Sequence, residues 1–138
     1  MRILSLLFCC AVLSLPLCGS AQSASKGTKA TPKGAHVKFE QTEINFGEVS
    51  RNGENQRCVF RFVNDGTEPL VLFSAITSCS CVKANLSRKP IAVGEKGEVE
   101  LLIEVKKMEK GIFHRVVQIR SNSVGGTEHL TIEGVAKD

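Results

Sequence analysis

The residues best suited to chemistry are two cysteines separated by one serine, in the run Ser78-Cys79-Ser80-Cys81. Side chains at positions i and i+2 of a β-strand point to the same face, with Cα atoms about 6.7 Å apart. Disulfides rarely span more than about 6.8 Å between Cα atoms, so Cys79 and Cys81 would bridge each other only at a turn. As thiolates on one face they could instead bind a soft ion such as Cu(I) or Zn(II), which prefers sulfur.

A third cysteine, Cys58, offers other pairings. It lies on the apolar face of an alternating segment, so it can serve as a small buried hydrophobic residue. If that segment adjoins the segment from Leu70 to Thr77, Cys58 could bridge Cys79 or Cys81 and leave one thiol free. A redox function has less support from the sequence, because thiol–disulfide catalysis generally uses Cys-x-x-Cys at a helix N-terminus.

Other catalytic patterns are missing from the sequence. It contains no G-x-S-x-G, no H-E-x-x-H and no glycine-rich phosphate loop between a strand and a helix. His36, His114 and His129 are scattered, and none has a zinc-ligand spacing to the cysteine pair. The chain has no Trp or Tyr, the aromatic side chains that sugar sites commonly use. The sequence therefore predicts a protein that is not an enzyme and needs no cofactor.

The first 21 residues are typical of an export signal. A positive start, Met1-Arg2, precedes an apolar stretch from Ile3 to Leu17, and Gly19-Ser20-Ala21 supplies small residues for cleavage. We therefore expect a periplasmic or extracellular protein that is not inserted in the membrane once the signal is removed.

Removal of the signal changes the cysteine count. Cys9, Cys10 and Cys18 would leave with it, so three of the six cysteines would remain in an oxidising compartment. A lipoprotein anchor on Cys18 is the less favoured form, because Leu17 stands where such anchors usually have a small residue.

Residues 22–36 are rich in Ser, Lys, Gly, Thr and Ala, and they predict a flexible solvated tether. Four lysines and no acid lie between Gln22 and Phe39, whereas residues 40–138 hold 13 basic and 14 acidic residues, a net charge of −1. The positive excess therefore lies in this leading segment, which includes the tether. We expect no nucleic-acid binding by the domain.

From residue 37 to residue 138 the apolar pattern has period two and is interrupted by turns. Gln56 to Asn64 alternates clearly, and the following Asp65-Gly66 predicts a tight turn in which glycine permits a positive φ. Leu70 to Thr77 is mostly apolar, as expected for a strand covered on both faces. Seven or eight short strands with regular turns, and no helical stripe, predict an all-β antiparallel sandwich.

Four motifs within this region, taken together, carry a resemblance to a known protein family. They are Ile44-x-Phe46-Gly47-x-Val49, Phe60-x-Phe62-x-Asn64-x-Gly66-x-x-Pro69-Leu70, Ser78-Cys79-Ser80-Cys81 and Pro90-Ile91-x-x-Gly94. Together they resemble an exported bacterial family of unknown function with a central Ser-Cys-Gly-Cys motif, which is similar to Hydin-type and major-sperm-protein-type immunoglobulin-like domains. The match runs from Phe39 to Gly134, with Ser80 where glycine is usual and Val82 where threonine is usual.

The resemblance implies an immunoglobulin-like antiparallel β-sandwich of seven to eight strands, with an exported adhesive or scaffolding role. We expect a non-catalytic module that binds or organises an envelope or extracellular protein through strand edges or end loops. The alternative is a thiol-based protein that binds copper or zinc, or exchanges electrons, through Cys79 and Cys81.

Overall fold

The computed structural model describes residues 32–138, which form eight β-strands and one short 3-10 helix. The strands are β1 (Val37–Phe39), β2 (Glu43–Ser50), β3 (Gln56–Asn64), β4 (Leu72–Thr77), β5 (Val82–Leu86), β6 (Lys96–Ile103), β7 (Gly111–Ser121) and β8 (Thr127–Lys137), and the 3-10 helix is Val105–Lys107. This part of the chain contains no α-helix, so no helix in it could cross a bilayer. The prediction of an all-β domain with seven to eight strands is confirmed.

The strands form two sheets of four. Sheet A has the order β1-β3-β6-β5, and sheet B has the order β2-β8-β7-β4. Neighbouring strands are antiparallel, with the exception of β2 and β8, which run parallel. A tight hairpin forces its two strands to be antiparallel, whereas β2 and β8 are far apart in the sequence and meet only at the sheet edge. The predicted antiparallel sandwich therefore differs from the structure in this one pair.

The core lies between the two sheets and follows the period-two pattern. In β3, Cys58, Phe60 and Phe62 are buried, and Phe60 lies opposite Val99 of β6. Sheet B contributes Val117 and other buried apolar side chains from its central strands. Each such side chain stabilises the fold by roughly 1.5–3 kcal/mol relative to full exposure. The alternation in the sequence thus identified the inner face of β3 correctly.

A glycine in a central strand of each sheet makes room for a phenylalanine ring. Gly97 lies opposite Phe62 in sheet A, and Gly134 lies opposite Phe113 in sheet B. A Cβ on Gly134 would come within 2.8 Å of the Phe113 ring, closer than real Cβ contacts allow. Glycine lets each ring cover the neighbouring backbone, at the cost of a weaker strand propensity.

The folded domain begins before the predicted boundary at residue 37. Ala35 is buried, its carbonyl accepts a hydrogen bond from the Val124 amide (2.9 Å), and the Gly34 carbonyl accepts one from the Thr67 amide (2.7 Å). Residues 34–36 are therefore packed on the sandwich, although the sequence analysis placed them in the tether. The predicted export signal, residues 1–21, and residues 22–31 of the predicted tether lie outside the described residues.

Asn64 holds together the end of the sandwich at which this segment enters. Its side chain is fully buried, and its Nδ2 donates to the carbonyls of Glu68 (2.8 Å) and Ile91 (3.0 Å). Its Oδ1 accepts hydrogen bonds from the amides of Gly66 (3.1 Å) and His36 (3.4 Å). One amide side chain thus joins three separate segments, and all of its hydrogen-bonding partners are backbone groups.

Candidate functional site

The cysteine pair lies in the connection between the two sheets. β4 belongs to sheet B and β5 to sheet A, and residues 78–81 join them through a turn closed by the Val82 amide and the Cys79 carbonyl (3.2 Å). A disulfide joins Cys79 to Cys81, whose Cα atoms are 5.2 Å apart. The sequence analysis required a turn for this pairing, and the structure provides one.

Cys58 does not take part in a bridge. It is a buried free thiol, and burial raises its pKa from 9.0 to about 11. β6 lies between β3 and β5, so two strand spacings of about 4.8 Å separate Cys58 from the start of β5. This separation exceeds the Cα distance that a disulfide can span. The suggested bridge from Cys58 to Cys79 or Cys81 assumed that β3 adjoins β4, but those strands belong to different sheets.

Backbone hydrogen bonds anchor the disulfide turn on both sides. The Ser78 amide donates to the Val116 carbonyl (3.2 Å), which ties the turn to β7. The Glu104 amide donates to the Cys81 carbonyl (2.8 Å), which ties it to the segment after β6. The Thr77 hydroxyl donates to the Cys79 carbonyl (3.1 Å), and the Cys81 amide donates to Cys79 Sγ (3.2 Å). The two cysteines are therefore positioned by contacts other than the sulfur–sulfur bond.

Glu104 carries the ionic contacts nearest to this turn. It pairs with Lys107 and with Lys83, the latter at 2.7 Å between Nζ and Oε1. Hydrogen bonds from Lys107 and Lys83 hold the pKa of the Glu104 carboxyl below its usual value. This pair of lysines keeps the carboxylate charged, and it joins β5 to the 3-10 helix.

We expect this lowered pKa to give the domain an acid-sensitive contribution to its stability. The folded protein binds the Glu104 proton more weakly than the unfolded chain, so the contribution is complete at neutral pH and is lost as pH falls through the folded pKa. Urea unfolding from pH 7 down to pH 3 should show a steeper loss for the native sequence than for Glu104→Gln. The control is Glu54→Gln, because the Glu54 carboxyl forms no ion pair among the described residues. If Glu104→Gln and Glu54→Gln lose stability with falling pH at the same slope, this account is contradicted.

The bridged cysteines are not available as metal ligands in this form, because a soft metal binds thiolates. Within residues 32–138 there is also no group of three or more His, Cys, Asp or Glu residues placed to hold a metal ion. Within the described residues, a metal site at this turn would therefore require the reduced form of the cysteine pair.

β4, which ends at the disulfide turn, is an edge strand of sheet B. β4 contains no charged residue, and two of its apolar side chains face solvent, Phe73 at 53% and Ile76 at 48% exposure. The segment from Leu70 to Thr77 was predicted to be covered on both faces, and this was wrong. β4 has a partner on one side alone, β7, and its other side faces the edge strand β5.

The backbone of β4 has hydrogen-bonding groups free on that open side. Because Ser78 donates to Val116 of β7, the antiparallel alternation directs the amides of Ile76 and Ser74 toward β7 as well. The amides of Ala75 and Thr77 then point away from β7. An open groove of about 330 Å³ lies between β4 and β5 at the position of Ala75, and it is lined by Ser74, Ala75, Ala84, Asn85, Leu86 and Arg88.

The opposite side of the sandwich is better protected. β1 has just three residues, and β2 carries Glu43 and Glu48 together with a register shift between Asn45 and Glu48. Gly47 lies inside that irregular stretch with a φ of 65°. Short strands, bulges and charges are the devices by which proteins prevent edge pairing. β4 has a register shift of its own, between Leu72 and Ser74. Among the four edge strands, however, β4 alone carries no charged residue, since β1 contains Lys38 and β5 contains Lys83.

Two four-stranded sheets pack face to face, and several connections cross from one sheet to the other. This arrangement defines an immunoglobulin-like β-sandwich. The chain belongs to the DUF1573 family, a family of unknown function, whose model matches residues 37–136. No protein with a curated description matches the chain in sequence. The resemblance to a family of unknown function is thereby confirmed, whereas the export of its members and their Ser-Cys-Gly-Cys motif stay predictions.

Solved structures show the same fold at low sequence identity. A protein of unknown function from Porphyromonas gingivalis W83 superposes with a TM-score of 0.65 and 17% identity over 81% of this chain and 51% of that one. The ASH/PapD-like domain 7 of human CEP192 gives a TM-score of 0.58 and 11% identity, covering 76% of this chain and 87% of that one. The periplasmic chaperone SfaE gives a TM-score of 0.55 and 6% identity, covering 74% and 58%.

The chain thus spans about half the length of the Porphyromonas protein, and the similarity to all three concerns the fold alone. Two features of the candidate site were not found from the sequence: the open edge at β4 and the groove between β4 and β5. The apolar run from Leu70 to Thr77 was the available signal for the edge. The sequence does not show the order of the strands in a sheet, so this apolar run could not be distinguished from a buried strand.

Proposed function

We propose that this domain is a non-catalytic protein-interaction module of the cell envelope, and that it accepts an extended segment of a partner protein along β4. The observation that carries the proposal is the uncharged β4 edge, with Phe73 and Ile76 exposed and unpaired amides at Ala75 and Thr77. When a strand is added to a sheet edge, main-chain hydrogen bonds supply affinity and alternate side chains supply specificity.

The contrast between the two sides of the sandwich supports this choice of edge. β2 carries Glu43 and Glu48, which oppose the pairing of another strand, whereas β4 carries no charge. The groove next to β4 is lined in part by Ala75 and Ala84, whose small side chains leave room for an incoming backbone. An added strand would also cover part of the exposed Phe73 and Ile76 side chains, which gains roughly 25 cal/mol per Å² of buried apolar surface.

The location in the envelope rests on the predicted export signal. Cleavage after Ala21 would release a protein that begins at Gln22. The N-terminal sequence of the protein purified from its native envelope fraction tests this part separately. A protein that begins at Met1 and is recovered from the cytosol would contradict it, and a lipid-modified Cys18 would establish the anchored form.

Site-specific cross-linking tests the binding edge. A photo-reactive residue at position 76 should yield a defined adduct with an envelope protein, whereas the same residue at position 112 should not. Ile112 is the matched control because its side chain is more exposed, at 88%, but it lies on the inner strand β7. Adducts of equal yield at both positions would contradict binding at the β4 edge.

Hydrogen exchange in the isolated complex distinguishes strand addition from other contacts. The amides of Ala75 and Thr77 should exchange more slowly in the complex, because an added strand takes up their hydrogen bonds. Ile76→Lys should weaken binding by about tenfold or more, since a lysine on an edge opposes strand pairing, and Ile112→Lys should leave it unchanged. Protection confined to the loops at the ends of the sandwich would overturn the proposal.

A further inference from the structure

We propose that Cys79 and Cys81 form a reversible dithiol–disulfide couple that exchanges electrons with external thiols through Cys79. The bridge joins residues two positions apart. In the chain-entropy account, the stabilisation from a disulfide grows with the loop it closes, so a bridge across a single residue restrains the unfolded chain least. A function as a structural staple therefore explains this bridge poorly.

The turn does not need the bridge to keep its shape. Hydrogen bonds from Ser78 to Val116 and from Glu104 to Cys81 fix the turn against β7 and against the end of β6. The bond from Val82 to Cys79 closes the turn itself. After reduction these bonds would keep the two Cα atoms near their present 5.2 Å separation, which lies within the range that disulfides require. The two thiols would remain placed to close the bridge again.

The two sulfur-bearing residues differ in their surroundings. Cys81 is fully buried, whereas Cys79 is partly exposed beside the exposed Ser80. Cys79 Sγ also accepts a hydrogen bond from the Cys81 amide at 3.2 Å. A donor aimed at a sulfur favours its negatively charged thiolate, and the thiolate is the reactive form. Cys79 is therefore the sulfur that meets an external reactant, and Cys81 is the one that closes the bridge.

No third cysteine of the described residues can serve as an internal partner. Cys58 is buried on the far side of β6, beyond disulfide reach. The couple must therefore exchange with a thiol outside the domain, such as a dithiol protein or a small thiol. None of residues 78–81 lines the β4–β5 groove, and the exchange does not depend on a partner being bound there.

The exchange balances as two successive substitutions. A thiolate of an external dithiol attacks Cys79 Sγ; a mixed disulfide forms, the Cys79–Cys81 bond breaks, and its electron pair leaves on Cys81 Sγ, which takes a proton from solvent. The second thiolate of the dithiol then attacks its own partner sulfur in the mixed disulfide, and Cys79 leaves as a thiolate. Two electrons pass to the protein, and the external dithiol becomes a disulfide.

The test uses the full chain in buffers of reduced and oxidised dithiothreitol. Cleavage after Arg61 and Lys83 releases residues 62–83 as one peptide, which carries Cys79 and Cys81 and no other cysteine. Thiol trapping followed by mass analysis of this peptide gives the reduced fraction. We expect the same fraction when equilibrium is approached from either side, with the β-sheet circular dichroism unchanged. A bridge that opens only after the protein has been unfolded in urea would overturn the proposal.

Variants in which one cysteine is replaced by serine test whether Cys79 is the sulfur that external thiols attack. With oxidised glutathione, the Cys81→Ser variant should form a mixed disulfide at Cys79, roughly tenfold faster or more than Cys79→Ser forms one at the buried Cys81. Cys58→Ser should keep the complete cycle, which shows that the third thiol is not required. Equal rates for the first two variants, each confirmed as folded by its thermal transition, would contradict the role of Cys79.

Discussion

Replacing Asn64 with alanine is expected to lower the free energy of unfolding by about 3 kcal/mol, because four backbone groups, two of them in buried hydrogen bonds, lose a hydrogen bond at once. A domain of this size loses roughly 4–8 °C of Tm for each kcal/mol, so the midpoint should fall by about 15 °C. Thermal unfolding followed by circular dichroism measures the effect. The loss should exceed that of most single substitutions, since typical values are roughly 0.5–3 kcal/mol.

Two further variants separate the parts of this network. Asn64→Asp keeps the acceptor for His36 and Gly66 but removes the donor to Glu68 and Ile91, and it places a charge in a fully buried position. It should therefore destabilise the domain as well. Asn85→Ala, a matched change on the exposed face of β5, should shift the midpoint by a few degrees at most. Similar midpoints for Asn64→Ala and Asn85→Ala would show that the network contributes little.

Gly66→Ala is expected to cost about as much, for a steric reason. A Cβ at Gly66 would lie 2.5 Å from the His36 amide nitrogen, 2.9 Å from the Ala35 carbonyl carbon and closer still to the Gly34 carbonyl oxygen. These are backbone atoms, which cannot turn aside as a flexible side chain can. The variant should force residues 34–36 away from the sandwich and lower the free energy of unfolding by about 3 kcal/mol.

Hydrogen exchange shows whether the segment has moved. The amides of Thr67 and Val124 donate to Gly34 and Ala35, so both should exchange faster in Gly66→Ala than in the native protein. Gly125→Ala is the control, because a Cβ there would meet only the flexible end of Glu128. If the two variants unfold at the same temperature, the close approach at Gly66 is not a constraint on the fold.

The role of Gly66 illustrates how far the sequence could be interpreted. The Asp65-Gly66 pair correctly predicted a turn after β3, and glycine was expected there for a positive φ. The glycines with positive φ among the described residues are Gly34, Gly47, Gly94, Gly111 and Gly126, and Gly66 is not one of them. Its glycine is required instead by the approach of residues 34–36, a contact between distant segments that no local pattern reveals.

The cysteines show the same limit of sequence-based prediction for the candidate site. The spacing of Cys79 and Cys81 correctly raised a bridge that depends on a turn, which is a local property. The suggested pairing of Cys58 failed because it depended on which strands are neighbours. β3 and β4 follow each other in the chain, yet they lie in different sheets, and β6 separates β3 from β5. The exposure of β4 was misjudged for the same reason.

The amino-acid sequence by itself determined the all-β class, the inner and outer faces of strands such as β3, the positions of several turns and the family. These follow from interactions between residues near one another in the chain: side-chain alternation, turn preferences and short motifs. The tertiary structure alone decided the parallel pairing of β2 with β8, the open edge at β4 and the isolation of Cys58. Each depends on the order of strands within a sheet, which is set by the packing of distant segments in one shared core.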